Sequence, residues 1–148
     1  MKTVYRVIGI ILMALILSSL CPSLPISEEF IRTLFTVVGI MFSVSMSILI
    51  GFNTTDIYNE RFLNLVRLDL RRIRRYFIMY FVVSVLLYIT FALFPDLSFS
   101  IKWIQFRFAI FVATFESFTI LYYIYNLIKL GDLNDKISDK IKEEKRRH

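Results

Sequence analysis

Long apolar runs constrain this chain more than any other feature it has. An α-helix needs about 17 to 25 predominantly apolar residues to cross a hydrocarbon core of about 30 Å. Four runs near that length lie at about 4–20, 31–52, 76–93 and 106–127, and they take up most of the 148 residues. The composition agrees, with 57% hydrophobic residues and a mean hydropathy of +0.64, more than a soluble core of this size absorbs. The expected fold is all-α: one polytopic membrane domain over 1–148 with four transmembrane helices.

The flanks of each run set its direction. The first, VYRVIGIILMALILSSL, carries Lys2 and Arg6 at its start and is followed by Pro22 and Pro25. A signal peptide has the same layout, but no small-x-small cleavage site follows and Leu20 is a poor neighbour for a lipidated Cys21, so it reads as an uncleaved helix. Lys2, Arg6, six arginines between Arg61 and Arg75, and seven Lys/Arg from Lys129 onward adjoin one side of the spans. Only Arg32, Lys102 and Arg107 adjoin the other. Positive residues stay in the cytoplasm, which places both termini inside and leaves two short outer loops, 21–30 and 94–105.

Two polar features break the apolar runs. Gly39, Ser43, Ser47 and Gly51 recur every fourth residue in the second run, forming a small-xxx-small stripe that lets helix backbones approach closely in lipid. The stripe suits packing within one subunit, an interface between subunits, or the lining of a pore. Glu116 stands near the middle of the fourth run, where a charge costs several kcal/mol. It therefore faces the bundle interior, a partner subunit or a hydrated cavity, with the second-run serines and Ser84 as the nearest expected polar groups. A structural hydrogen bond and a part in ion passage or gating are both open for it. Arg107, nine residues away and about 13.5 Å along a helix, is too far for a pair.

The segment 53–75 reads as a cytoplasmic basic amphipathic helix between the second and third spans, starting near Asp56 and either lying on the inner leaflet or extending the third span into the cytoplasm. Phe62, Val66, Leu70, Ile73 and Phe77 fall on one face, while Arg67, Arg71, Arg72, Arg74 and Arg75 cover much of the rest. Those arginines suit the anionic phosphates of the inner leaflet or a cytoplasmic protein. Nucleic acid is disfavoured, since no aromatic platform accompanies them. The Asn53-Thr54-Thr55 sequon faces the cytoplasm in this topology. In the charged tail, 131–148, Leu133, Ile137 and Ile141 recur every fourth residue, which suits a short amphipathic helix or a frayed end. Trp103, Tyr122, Tyr123 and Tyr125 match interfacial anchors, and Tyr76, Tyr80 and Tyr88 match packing residues.

Enzyme chemistry finds no footing here. The chain has one cysteine, and its one histidine is His148, so neither a Cys/His metal set nor a histidine-based triad can be built. No glycine-rich phosphate loop and no paired carboxylates outside loops and termini are present, and no cofactor is expected.

The stretch FSVSMSILIGFNTTDIYN, residues 42–59, together with the layout of short spans, resembles the small membrane subunit of bacterial Kiwa anti-phage defence systems. That resemblance implies a multi-pass protein of the bacterial inner membrane that self-associates, detects phage attack and works with a cytoplasmic DNA-binding partner. The expected function is accordingly an oligomeric inner-membrane sensor or effector subunit that docks a cytoplasmic partner. Alternatives are a small ion channel or holin-like permeabilising protein in which Glu116 and the serine stripe line the path, and an accessory subunit of a larger membrane complex.

Overall fold

A computed structural model describes Gly9, Leu12, Met13, Ile16 and residues 25–51, 60–101 and 104–147. Among these, three helices and a small hairpin follow in the order α1 (Glu28–Gly51), α2 (Glu60–Leu93), β1 (Ser98–Ile101), β2 (Ile104–Arg107) and α3 (Phe108–Arg147).

The start of α1 is set locally. The Phe30 amide donates to the Ser27 hydroxyl at 3.2 Å, and Glu28 and Glu29 place negative charge on the first turn, where the helix dipole favours it. Helix α2 contains neither Gly nor Pro across its 34 residues and stops just before Pro95. Helix α3 runs 40 residues, passing through Gly131 without a break.

The expectation of four transmembrane helices is corrected to three among the described residues. The helices long and apolar enough to cross a membrane lie at Glu28–Gly51, Leu63–Leu93 and Phe108–Asp139, and they mark the chain as a membrane protein. The expected first span, 4–20, falls outside the described residues except at Gly9, Leu12, Met13 and Ile16, which are helical, exposed and absent from the core clusters. At 17 residues with Arg6 near its start, that run sits at the short limit for crossing.

Two segments flanking the spans continue their helices. From Glu60 the 53–75 segment is the first part of α2, continuous with the third expected span, while its expected start near Asp56 and the sequon lie outside the described residues. The tail from Gly131 is likewise the end of α3. The physical reason is a continuous apolar seam. Along α2, Leu63, Val66, Leu70, Ile73, Phe77, Tyr80, Ser84, Leu87 and Phe91 alternate steps of three and four, and all are buried or half-buried. Along α3 the same alternation joins Val112, Glu116, Thr119, Tyr123, Asn126, Leu130, Leu133 and Ile137. This heptad spacing keeps one stripe facing a partner helix however long the pair becomes.

The two seams meet antiparallel. Phe91 packs with Phe108, Phe111 and Val112 at one end, Phe77 packs with Tyr123 in the middle, and Val66 packs with Ile137 at the other end. Helix α1 fills the groove beside them with Ile31, Val38, Ser45 and Leu49. It runs parallel to α3, since Glu28 shares a cleft with Pro95 while Gly51 shares one with Leu130 and Gly131. Parallel ring stacks, Phe35 on Tyr88 at 4.1 Å and Phe42 on Phe81 at 4.2 Å, join α1 to α2.

At 1.5 Å per residue α2 is about 51 Å long and α3 about 60 Å, against a hydrocarbon core of about 30 Å. The Val66–Ile137 end of the pair therefore projects well beyond the lipid. At the opposite end, the stretch expected to be a loop is an antiparallel hairpin pairing Ser98 with Arg107, Phe99 with Phe106 and Ile101 with Ile104. Phe106 and Arg107 belong to its second strand, so the fourth expected span begins at Phe108. Lys102 and Trp103 lie outside the described residues.

Gly131 tests the continuity of α3. It is exposed in the helix interior, and a Cβ there meets open space. Gly131→Ala is expected to stabilise the projecting pair by about 0.5–1 kcal/mol, read as a higher unfolding temperature of that segment by helical circular dichroism.

Candidate functional site

Glu116 is the most heavily constrained polar residue in the bundle. It occupies a seam position of α3, two turns in from Phe108, and its side chain is 0% exposed. The opposing seam position of α2 is Ser84, also fully buried, and its hydroxyl donates to Glu116 Oε2. The other carboxyl oxygen, Oε1, has no hydrogen-bond partner among the described residues. An unpartnered buried polar atom costs about 1–3 kcal/mol, so the group resists the packing that surrounds it.

The polar neighbours along the same seam are satisfied locally. Thr119 donates to the Phe115 carbonyl at 2.9 Å. One heptad below Glu116, the Tyr123 hydroxyl donates to the Phe77 carbonyl of α2 at 3.0 Å, and the two rings meet edge to face at 5.0 Å. This revises the reading of Tyr123 as an interfacial anchor: its place on the seam makes it a core residue. Tyr125, off the seam and exposed, carries the Lys129 ammonium 4.6 Å above its ring. Tyr122 packs on Tyr80 and Phe77.

The small-residue stripe points elsewhere. Ser43, Ser47 and Gly51 are exposed, Gly39 is half-buried, and a Cβ at Gly39 or Gly51 meets nothing within 4 Å. Ser43 satisfies its hydroxyl on the Gly39 carbonyl of its own helix, at 2.9 Å. Ser43 and Ser47 thus face away from α2 and α3, while Gly39 is half-buried and Gly51 borders the cleft with Leu130 and Gly131, so the stripe lies largely open on the outside of the bundle among the described residues. The second-run serine that turns inward is Ser45, fully buried, its hydroxyl without a hydrogen-bond partner among the described residues. Two residues on a helix stand about 200° apart, which is why Ser43 and Ser45 look in opposite directions. Glu116 and the stripe consequently occupy different environments, one sealed inside the bundle and one on its outer face.

All five singled-out arginines, Arg67, Arg71, Arg72, Arg74 and Arg75, are exposed on α2. Arg72 lies 3.7 Å from Asp69 in an exposed pair of little energetic weight. Arg71, Arg74 and Arg75 border a common cleft with Ile78. Among the described residues, no three His, Cys, Asp or Glu side chains converge as metal ligands would.

Sequence reasoning missed the seam partner relation of Tyr123 and Phe77 and the β1–β2 hairpin. The signal for the hairpin was present, since SFSI and IQFR alternate polar and apolar residues on either side of a two-residue link. No family model, curated protein or solved structure matches the chain.

Structural cost and use can be separated at Glu116. Ser84→Ala removes the hydrogen-bond donor and is expected to lower stability by about 1–3 kcal/mol in a detergent unfolding titration. Glu116→Met, of similar length and without a polar group, is expected to raise the unfolding midpoint. A fall in the Met variant would mean that the carboxyl holds the bundle together by contacts beyond Ser84.

Proposed function

We propose that this protein is a self-associating subunit of the bacterial inner membrane whose α2–α3 pair carries a signal from the bilayer to a cytoplasmic partner. The observation behind this reading is the unbroken seam. Outer-end residues Phe91 and Phe108 and projecting residues Val66 and Ile137 belong to the same pair of helices, with no glycine or proline hinge in α2. A disturbance of packing at the outer end thereby moves the projecting end without a flexible joint to dissipate it.

Orientation follows from charge. The projecting end of α2 carries Arg67, Arg71, Arg72, Arg74 and Arg75, and that of α3 carries Lys129 and Lys136, so this end lies in the cytoplasm. The α2–β1 turn and the hairpin then face outward. Self-association is supported by the open stripe on α1, which offers a second copy a surface where backbones can approach closely. Detection of phage attack, implied by the resemblance of residues 42–59, is one use for such a relay, and the exposed arginines give the projecting pair a surface for an acidic partner.

The mass of the complex in nanodiscs tests this reading. A defined oligomer is expected for the unaltered chain, and Gly39→Leu/Ser43→Leu is expected to reduce it to a smaller species with helix content unchanged, because neither position touches the core. A monomer in both samples would sink the self-association.

A further inference from the structure

The arginine end of α2 has a feature that partner docking does not account for. Arg71, Arg74, Arg75 and Ile78 border a cleft of about 270 Å³. Their spacing places them on one side of the helix over two turns. None of the three guanidinium groups is in an ion pair among the described residues; the arginine pair found there joins Arg72 to Asp69. Three like charges held this close repel one another, and an anion between them removes that cost.

Below the cleft the same side of α2 turns aliphatic. Ile78, Val82, Leu86 and Ile89 follow at steps of four, four and three, and each is exposed. From Ile78 to Ile89 the helix rises about 16 Å, roughly half of a ~30 Å hydrocarbon core. The face therefore presents a cluster of cations followed by one leaflet's depth of apolar surface. The apolar part lies among acyl chains whichever anion binds, so the arginines stand where that stretch leaves the hydrocarbon, at the depth of lipid headgroups.

We propose that this face is a binding site for an anionic phospholipid, with Arg71, Arg74 and Arg75 around the headgroup phosphate and the acyl chains along Ile78, Val82 and Leu86. Guanidinium is the side chain best matched to a phosphate diester, because its planar N–H groups engage two oxygens at once. The site rests on the inward orientation of the arginine end proposed above, since negative surface potential is a property of the cytoplasmic leaflet.

The test uses the full-length protein in nanodiscs of mixed phosphatidylcholine and phosphatidylglycerol, transferred to mild detergent, with retained lipid read by native mass spectrometry. Preferential retention of phosphatidylglycerol is expected. Arg71→Gln/Arg75→Gln is expected to lower that preference on the order of tenfold, about 1.4 kcal/mol. Arg67→Gln/Arg72→Gln removes as much charge outside the cleft and is expected to keep it. Equal loss in both variants would reduce the effect to net charge, and equal retention of the two lipids by the unaltered chain would overturn the site outright. Displacement of the lipid by excess inorganic phosphate would make it a phosphate site instead. Arg74→Gln alone, with a smaller fall in the same direction, serves if the double variant loses its helix content. The mass of the same complexes reports separately on subunit assembly, so a failed lipid preference with the oligomer intact bears on this site alone.

Discussion

The contact that runs the full length of this bundle is the antiparallel seam between α2 and α3, with α1 packed closely against both helices. Hydrocarbon offers helices no hydrophobic reward for meeting, so within the membrane they are held by close packing and hydrogen bonds. Beyond the membrane the same residue spacing buries Val66 and Ile137 against water, where apolar burial itself is favourable. One seam thus works by two different forces along its length. The change of force requires no change of pattern, because heptad spacing aligns side chains in either medium.

Within that seam, Glu116 and Ser84 act as a register mark. Sliding α2 along α3 by one heptad would set Glu116 against Phe77 or Phe91 in place of Ser84, burying a carboxyl with no donor at all. The Tyr123 hydroxyl adds no second mark, because the backbone carbonyl it meets at Phe77 has an equivalent at every heptad of α2. Aromatic and aliphatic seam residues tolerate such a slip far better than Glu116 and Ser84 do. Polar groups buried in coiled coils fix alignment in this manner at some cost in stability.

Much of this was legible in the amino-acid order, and the limits were physical. Apolar length found α1 and the membrane portions of α2 and α3, and the isolation of Glu116 in an apolar run required a buried partner, with Ser84 among the nearest candidates. Charge density around Arg67–Arg75 and beyond Lys129 left open whether the helices continue, because a run of charges hides a seam whose apolar members are only every third or fourth residue. The stripe of Gly39, Ser43, Ser47 and Gly51 announced close packing but not its side, which depends on where Val38, Ser45 and Leu49 turn. The hairpin was masked by its shortness: four alternating residues per strand read as an ordinary connection between spans.

That hairpin governs how the long pair can move. The Phe108 amide donates to the Leu97 carbonyl at 3.0 Å, and the Leu97 amide in turn donates to the Phe94 carbonyl, so the hairpin ends of α2 and α3 are clipped together. A clip of this kind forbids the two helices from pistoning past each other and leaves splaying about the clip as the available motion. The pair then behaves as a lever with its fulcrum at the hairpin: an opening of ~5° shifts the far tip of a ~50 Å arm by ~4 Å. The tips at the Val66–Ile137 end travel furthest in such a lever, so a small change of angle at the hairpin is read there as a displacement.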